Sequence, residues 1–192
     1  TGAVMPIAAV AQRLQQHPST PWLLVDAAQS VGAIAVEQVA PCVDIYAFTG
    51  HKWCCGPEGL GGVALSERVL QQAQPTLIGW RSLRHEASVA SSFHTDARRF
   101  EIATSCVPLC SGLATSLELL ASAGSAEQRQ AAIAAGTARL WHGLQQIPTV
   151  RTLLSDPPPA GLVSFTLRRP DGRAVDTGAV VEALGQKGLW IR

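Results

Sequence analysis

Tyr46-Ala47-Phe48-Thr49-Gly50-His51-Lys52-Trp53 is an apolar run that gives way abruptly to small and polar residues. Upstream, Trp22-Leu23-Leu24-Val25 does the same, passing into Asp26-Ala27-Ala28-Gln29-Ser30-Val31-Gly32. Short apolar runs closed by turn residues read as strands. Strands 22–25 and 43–48 then end in polar groups at one edge of a buried parallel sheet, where open α/β folds bind ligands. These stretches decide for an α/β fold with a site at that edge.

Working outward, residues 6–16 have helical spacing, with Pro6 tolerated at the start. Residues 61–65 read as a strand after the turn Gly56-Pro57-Glu58-Gly59, and 66–73 as helical. Few periodic signals occupy 74–100, where Gly79-Trp80-Arg81-Ser82 reads as an irregular loop bordering the site. Alanine- and leucine-rich helices are expected over 106–122 and 125–146, the second opened by Ser125-Ala126-Glu127-Gln128 as a capping box. Ile147-Pro148 ends it. Strand-like 150–154, the break Pro157-Pro158-Pro159, strand-like 162–168, a helix over 176–186 and strand-like 189–192 complete the chain. There is no internal repeat. The composition shift near 147–150 divides a large domain, 1–147, from the start of a smaller α/β lobe, 148–192.

Composition excludes several classes. With 192 residues, 47% hydrophobic and 15% charged, the chain is an ordinary globular sequence of one domain or slightly more. A net charge of +1 gives no reason to expect nucleic acid or a membrane as partner. No apolar stretch approaches a membrane span and no secretory signal opens the chain, so the cytoplasm is expected. The five cysteines are odd in number and lack metal-ligand spacing. They read as small buried hydrophobes in a reducing compartment, and no metal is expected. Adjacent Cys54 and Cys55 suit no disulfide; the sharper alternative is that one of them handles sulfur beside Lys52.

The polar groups at the strand ends have a joint chemical meaning. Taken singly, Asp26 reads as a turn or cap residue, Lys52 as solvated surface, and His51 as a structural histidine. Together, at the ends of two apolar strands, they could surround a pyridoxal phosphate ring. That cofactor withdraws electrons only while its pyridine nitrogen is protonated, and Asp26 would keep the proton there. Lys52 would form a Schiff base with the aldehyde carbon and later carry a proton. Thr49 and His51 could reach the phosphate, and Gln29 could donate to the phenolic oxygen.

Asp26-Ala27-Ala28-Gln29-Ser30-Val31-Gly32 followed by Thr49-Gly50-His51-Lys52-Trp53 resembles the class V aminotransferase family, which includes cysteine desulfurases and selenocysteine lyases. The likeness continues through Gly56-Pro57-Glu58-Gly59-Leu60-Gly61-Gly62-Val63 and Arg98-Arg99-Phe100-Glu101-Ile102-Ala103-Thr104, where Ala103 stands in place of the family's usual glycine. Ile78-Gly79-Trp80-Arg81-Ser82 and Ala160-Gly161-Leu162-Val163-Ser164-Phe165 look most similar to the cyst(e)ine C–S lyase branch. The resemblance implies fold type I of the pyridoxal phosphate enzymes: part of the large doubly wound domain plus part of a small C-terminal α/β domain.

It also implies roles. Lys52 matches the Schiff-base lysine, Asp26 the pyridinium partner, Gln29 the residue at the ring oxygen, and Thr49 and His51 phosphate ligands. Thr104 matches a threonine reaching the neighbouring subunit's phosphate, so a homodimer is expected. Arg192 matches the arginine clamping the substrate carboxylate, a bidentate task suited to a planar guanidinium. Trp80 and Arg81 are further substrate-side candidates.

The chain is expected to be incomplete, because no phosphate-cradling helix terminus or ring-stacking side chain precedes Asp26. The resemblance implies that upstream segments supply both, and that the desulfurases' persulfide cysteine would lie beyond residue 192. The expected activity is C–S cleavage of cysteine or cystine, by a lyase or by a desulfurase with a sulfur-acceptor protein. Selenocysteine lyase, an aminotransferase of the same family, and a catalytically silent interaction module stay open.

Overall fold

The computed structural model describes residues 1–84 and 92–192. Residues 85–91, part of the irregular stretch expected over 74–100, lie outside the described residues. The chain forms two compact units, Met5–Gln130 and, separately, Thr1–Val4 with Ala131–Arg192.

The first unit is built on a three-stranded sheet in the order β1 (Leu24–Asp26), β2 (Ile45–Thr49), β3 (Gly61–Leu65). β1 and β2 are parallel, with Val25 opposite Tyr46 and Asp26 opposite Ala47; the Ala27 N–H donates to the Ala47 carbonyl at 2.7 Å and extends the ladder. β3 returns antiparallel to β2, with Gly61 opposite Thr49. The loop from Gly50 to Leu60 is too short for the crossover that a parallel neighbour would need.

The core on this sheet is Val25, Ala27, Val43 and Tyr46, with Ile7, Leu23, Val31, Val36, Ala40 and Phe48 packed against it. β1 departs from the fully buried strand expected: Val25 is covered, whereas Leu24 is 61% exposed. Pleating sends alternate side chains to opposite faces, and only one face is packed among the described residues.

α1 (Ile7–Gln15) begins after Pro6, and α2 (Glu67–Gln72) is capped by Ser66, whose side chain accepts from the Val69 N–H. Ser66 also donates to Asp44 Oδ1 at 3.0 Å. Asp44 is the polar anchor of the unit. It accepts the Leu23 N–H at 2.9 Å and both Nε and Nη2 of Arg68, at 3.0 and 2.6 Å. Burial pushes its carboxyl up, but these hydrogen bonds and the Arg68 charge outweigh it and hold the group below the usual carboxylate range.

α3 (Val107–Ser122) and α4 (Ala126–Gln145) are separated by the capping box read from the sequence. The Ser125 N–H donates to Gln128 Oε1 at 2.8 Å, and the Gln128 N–H donates back to Ser125 Oγ at 3.2 Å.

In the second unit β4 (Val150–Thr152) pairs antiparallel with β5 (Phe165–Leu167), and α5 (Thr177–Gly185) is capped by Asp176. The expected strand at 189–192 is absent. Gly188, at φ +76°, ends α5 with the Leu189 N–H bonded back to the Leu184 carbonyl, and the chain continues as irregular backbone. No described strand pairs with it.

The cysteines also depart from expectation. Cys54 is fully buried, but Cys42, Cys55, Cys106 and Cys110 are exposed, and all five are free. Cys106, at the N-cap of α3, lies inside the run Glu101–Pro108 that is exposed throughout, and Cys110 follows in the first turn of that helix. Apolar character favours burial but needs a neighbouring surface to provide it. No single helix among the described residues is long and apolar enough to cross a membrane.

Candidate functional site

Parallel pairing of β1 with β2 brings the loops after Asp26 and after Thr49 to the same sheet edge. Asp26 is exposed there, its Oδ1 accepting the Ala28 N–H at 3.0 Å. Gly50, His51 and Lys52 follow β2 directly. Their loop is closed by the Gly56 N–H donating to the Gly50 carbonyl at 2.8 Å and by the Cys55 N–H donating to the Lys52 carbonyl at 3.0 Å. His51 and Lys52 stand exposed on this closed loop. An amine carried on a closed loop has little backbone entropy left to lose when it is engaged.

The two loops are locked together. The Trp53 indole N–H donates to Gln29 Oε1 at 2.9 Å. The Cys54 thiol donates to the Val31 carbonyl at 3.5 Å, and burial pushes that thiol's pKa up, which makes it a poor nucleophile. Gly32, at φ +92°, lies so close that a Cβ on it would meet the Cys54 nitrogen at 2.9 Å. Only glycine combines that φ with that approach.

Thr49 is the informative member of the group. Its Oγ1 is buried without a hydrogen-bond partner among the described residues. Buried hydroxyls are nearly always paired, so this orphan fits residues that hold an oxygen-rich ligand such as a phosphate.

Trp80 and Arg81 lie in a short 3₁₀ turn, with the Arg81 guanidinium 5.3 Å from the Trp80 ring centroid. Arg81 Nη1 is 3.5 Å from Glu101 Oε2, while its Nε is buried and unpartnered among the described residues. The turn is pinned by Ser82, fully buried, whose Oγ donates to the Glu101 carbonyl at 2.6 Å and accepts the Gly79 N–H at 3.2 Å. Thr104 follows in the exposed segment before α3. Arg192 belongs to the second unit, where it borders a cavity of about 230 Å³ with Val163, Phe165 and Ile191.

Sequence reasoning missed three of these features. The Trp53–Gln29 bond had one available signal, a donor-only indole beside the lysine. The Arg81–Glu101 pair and the buried Ser82 had none, because both depend on a contact between distant segments. No group of His, Cys, Asp or Glu among the described residues could hold a metal ion.

A family model described as aminotransferase class V matches residues 1–192. The chain belongs to the class V aminotransferase family. Among curated relatives, a probable cysteine desulfurase of Pseudomonas aeruginosa is 34% identical over 89% of this chain and 40% of its own length. A cysteine desulfurase of Dickeya dadantii is 31% identical over all of this chain and 44% of its own. The chain thus spans about two fifths of the length of the curated relatives it matches.

Among solved structures, a mutant of C-DES with glycine covalently linked to its pyridoxal phosphate cofactor superposes with a TM-score of 0.90 at 37% identity, covering 100% of this chain and 50% of that one. The cystine C–S lyase C-DES with its reaction product cysteine persulfide gives 0.88 at 37% identity, covering 98% and 49%. The Escherichia coli cysteine desulfurase CsdA gives 0.79 at 25%, covering 100% and 45%. The fold is therefore the mixed α/β type I fold of pyridoxal phosphate enzymes.

Proposed function

We propose that the chain is part of a pyridoxal phosphate enzyme that cleaves the C–S bond of cysteine or cystine, with Lys52 as the lysine that bonds the cofactor. The observation that carries this reading is the grouping at one sheet edge of an exposed carboxylate, an exposed amine on a closed loop, and a buried orphan hydroxyl at Thr49.

The residues fit the group. Thr49 and His51 would hold its phosphate, Gln29 its phenolic oxygen, and Asp26 its pyridine nitrogen. When bound, the cofactor supplies an electron sink for charge left at the substrate α-carbon. Lys52 Nζ would bond the cofactor and, once released, would move the proton at the substrate α-carbon. Asp26 would hold the proton on the ring nitrogen. Arg192 would clamp the substrate carboxylate, with Trp80 and Arg81 on the substrate side.

A lyase is favoured over a desulfurase by the higher identity and TM-score against C-DES than against CsdA. In that reaction sulfur leaves the β-carbon, and the organic product hydrolyses to pyruvate and ammonia. The desulfurase reading rests on the curated relatives' names; there a cysteine thiolate takes the sulfur, alanine results, and an acceptor protein receives the sulfur. A cytoplasmic homodimer is part of the proposal, with Thr104 reaching the partner's phosphate. Thr104→Val should weaken cofactor retention, and a cofactor-loaded monomer by light scattering would refute the dimer.

Borohydride reduction of the cofactor-loaded complete protein tests the central reading. A pyridoxyl group fixed on Lys52, and none in Lys52→Ala, is the expected result. The same group on Lys187 would sink it.

A further inference from the structure

We propose that Trp53 is a positioning residue: its indole fixes the Gln29 amide so that the NH2 group faces the phenolic oxygen of the bound cofactor. The inference rests on the pyridoxal phosphate reading above. It is carried by the hydrogen bond from Trp53 Nε1 to Gln29 Oε1 at 2.9 Å.

An amide has one accepting end and one donating end, and free in solution it presents either. An indole N–H can only donate. Once Trp53 takes the amide oxygen, the nitrogen is turned away from the indole and both its hydrogens are left for another acceptor. Gln29 is itself exposed, so nothing in its own packing would select one orientation. Trp53 is half-buried, and its backbone is held by the close approach of Gly32 and by the Cys54 thiol on the Val31 carbonyl. The rigid partner therefore orients the free one.

The consequence is electrostatic. A donor aimed at the phenolic oxygen stabilises its negative charge, and so lowers the pH at which the lysine-linked nitrogen beside it gives up its proton. That pH is read from the visible absorbance band of the bound cofactor, independently of turnover.

The experiment titrates this band in the complete protein loaded with pyridoxal phosphate. Trp53→Phe keeps an aromatic ring and removes the donor; its midpoint should rise by about 0.5–1 pH unit, the loss of part of one charge-assisted hydrogen bond. Gln29→Ala should rise at least as far, and the double variant no further than Gln29→Ala alone. Trp53→His, which retains an N–H, should restore part of the shift. If Gln29→Ala moves the midpoint and Trp53→Phe does not, the role assigned to Trp53 is overturned while the proposed function stands. If neither moves it, Gln29 does not face the phenolic oxygen and the inference fails. If the unsubstituted protein forms no visible band, the proposed function falls and takes the inference with it. Should Trp53→Phe not fold, Gln29→Glu decides, since it still accepts from the indole but cannot donate: an unchanged midpoint overturns the proposal.

Discussion

Adding one methyl group at Gly32 should separate the two loops that carry Asp26, Gln29 and Lys52. Gly32 holds φ +92°, and a Cβ there would meet the Trp53 carbonyl carbon at 2.5 Å and the Cys54 nitrogen at 2.9 Å, with the Trp53 oxygen nearer still. All three are backbone atoms and cannot swing aside as a side-chain end would. The left-handed conformation costs an L-residue about 1–2 kcal/mol. Overpacking against fixed atoms costs about 1–3 kcal/mol more, and reduced entropy of the unfolded chain returns about 0.4–1 kcal/mol.

Gly32→Ala should therefore destabilise by roughly 2–4 kcal/mol. Each kcal/mol moves the melting midpoint of a domain this size by about 2–4 °C, so a drop of roughly 5–15 °C is expected by circular dichroism. Gly136→Ala and Gly143→Ala are the controls. Both glycines lie within α4 with nothing inside 4 Å of an added Cβ. The same substitution there should stabilise by about 0.5–1 kcal/mol each, as it does in helix interiors. If Gly32→Ala melts with the controls, the loops are not held in the close register described, and the locked site goes with it.

Asp26→Asn should retain cofactor but lose most turnover, because an amide cannot hold the ring-nitrogen proton. Near-normal turnover would reduce Asp26 to the turn residue that its bond from the Ala28 N–H also makes it. Arg192→Ala should lower kcat/KM by roughly tenfold to a hundredfold with cofactor absorbance unchanged, and Arg192→Lys should recover little. Normal kinetics in both would move the clamp to Arg81. Asp44→Asn tests the anchor. The Asp44 carboxyl is held below its ordinary range, so its contribution is complete above an unfolded pKa of about 3.9 and lost as pH falls through the lower folded value. Urea unfolding should show the variant weaker at neutral pH and less sensitive to acid; an acid slope equal to wild type would contradict this.

Much of the scaffold was legible because local chemistry dictates it. Pro6 opens α1, the Ser125–Gln128 capping box opens α4, and the apolar runs before Asp26 and Lys52 form β1 and β2. The nearness of the strand-end groups was legible too, since it follows from parallel pairing of two strands with polar ends. What failed depended on neighbours that pattern alone does not supply. The run 189–192 is apolar enough for a strand but meets no strand to pair with among the described residues. Cys106 and Cys110 share a helix face, yet no described surface covers it. The Trp53–Gln29 bond joins loops whose approach is set by the backbone of Gly32, which composition does not encode.

Among the described residues the sheet pairs β1 and β3 on one side only, and leaves Leu24 61% and Val63 54% exposed. Two free strand borders beside a bare aliphatic surface are templates for adding strands from other molecules. Handled by itself, this polypeptide should therefore self-associate as its concentration rises, through its sheet rather than by melting of its helices. A lysine at position 24 or 63 is the substitution that would keep it dispersed.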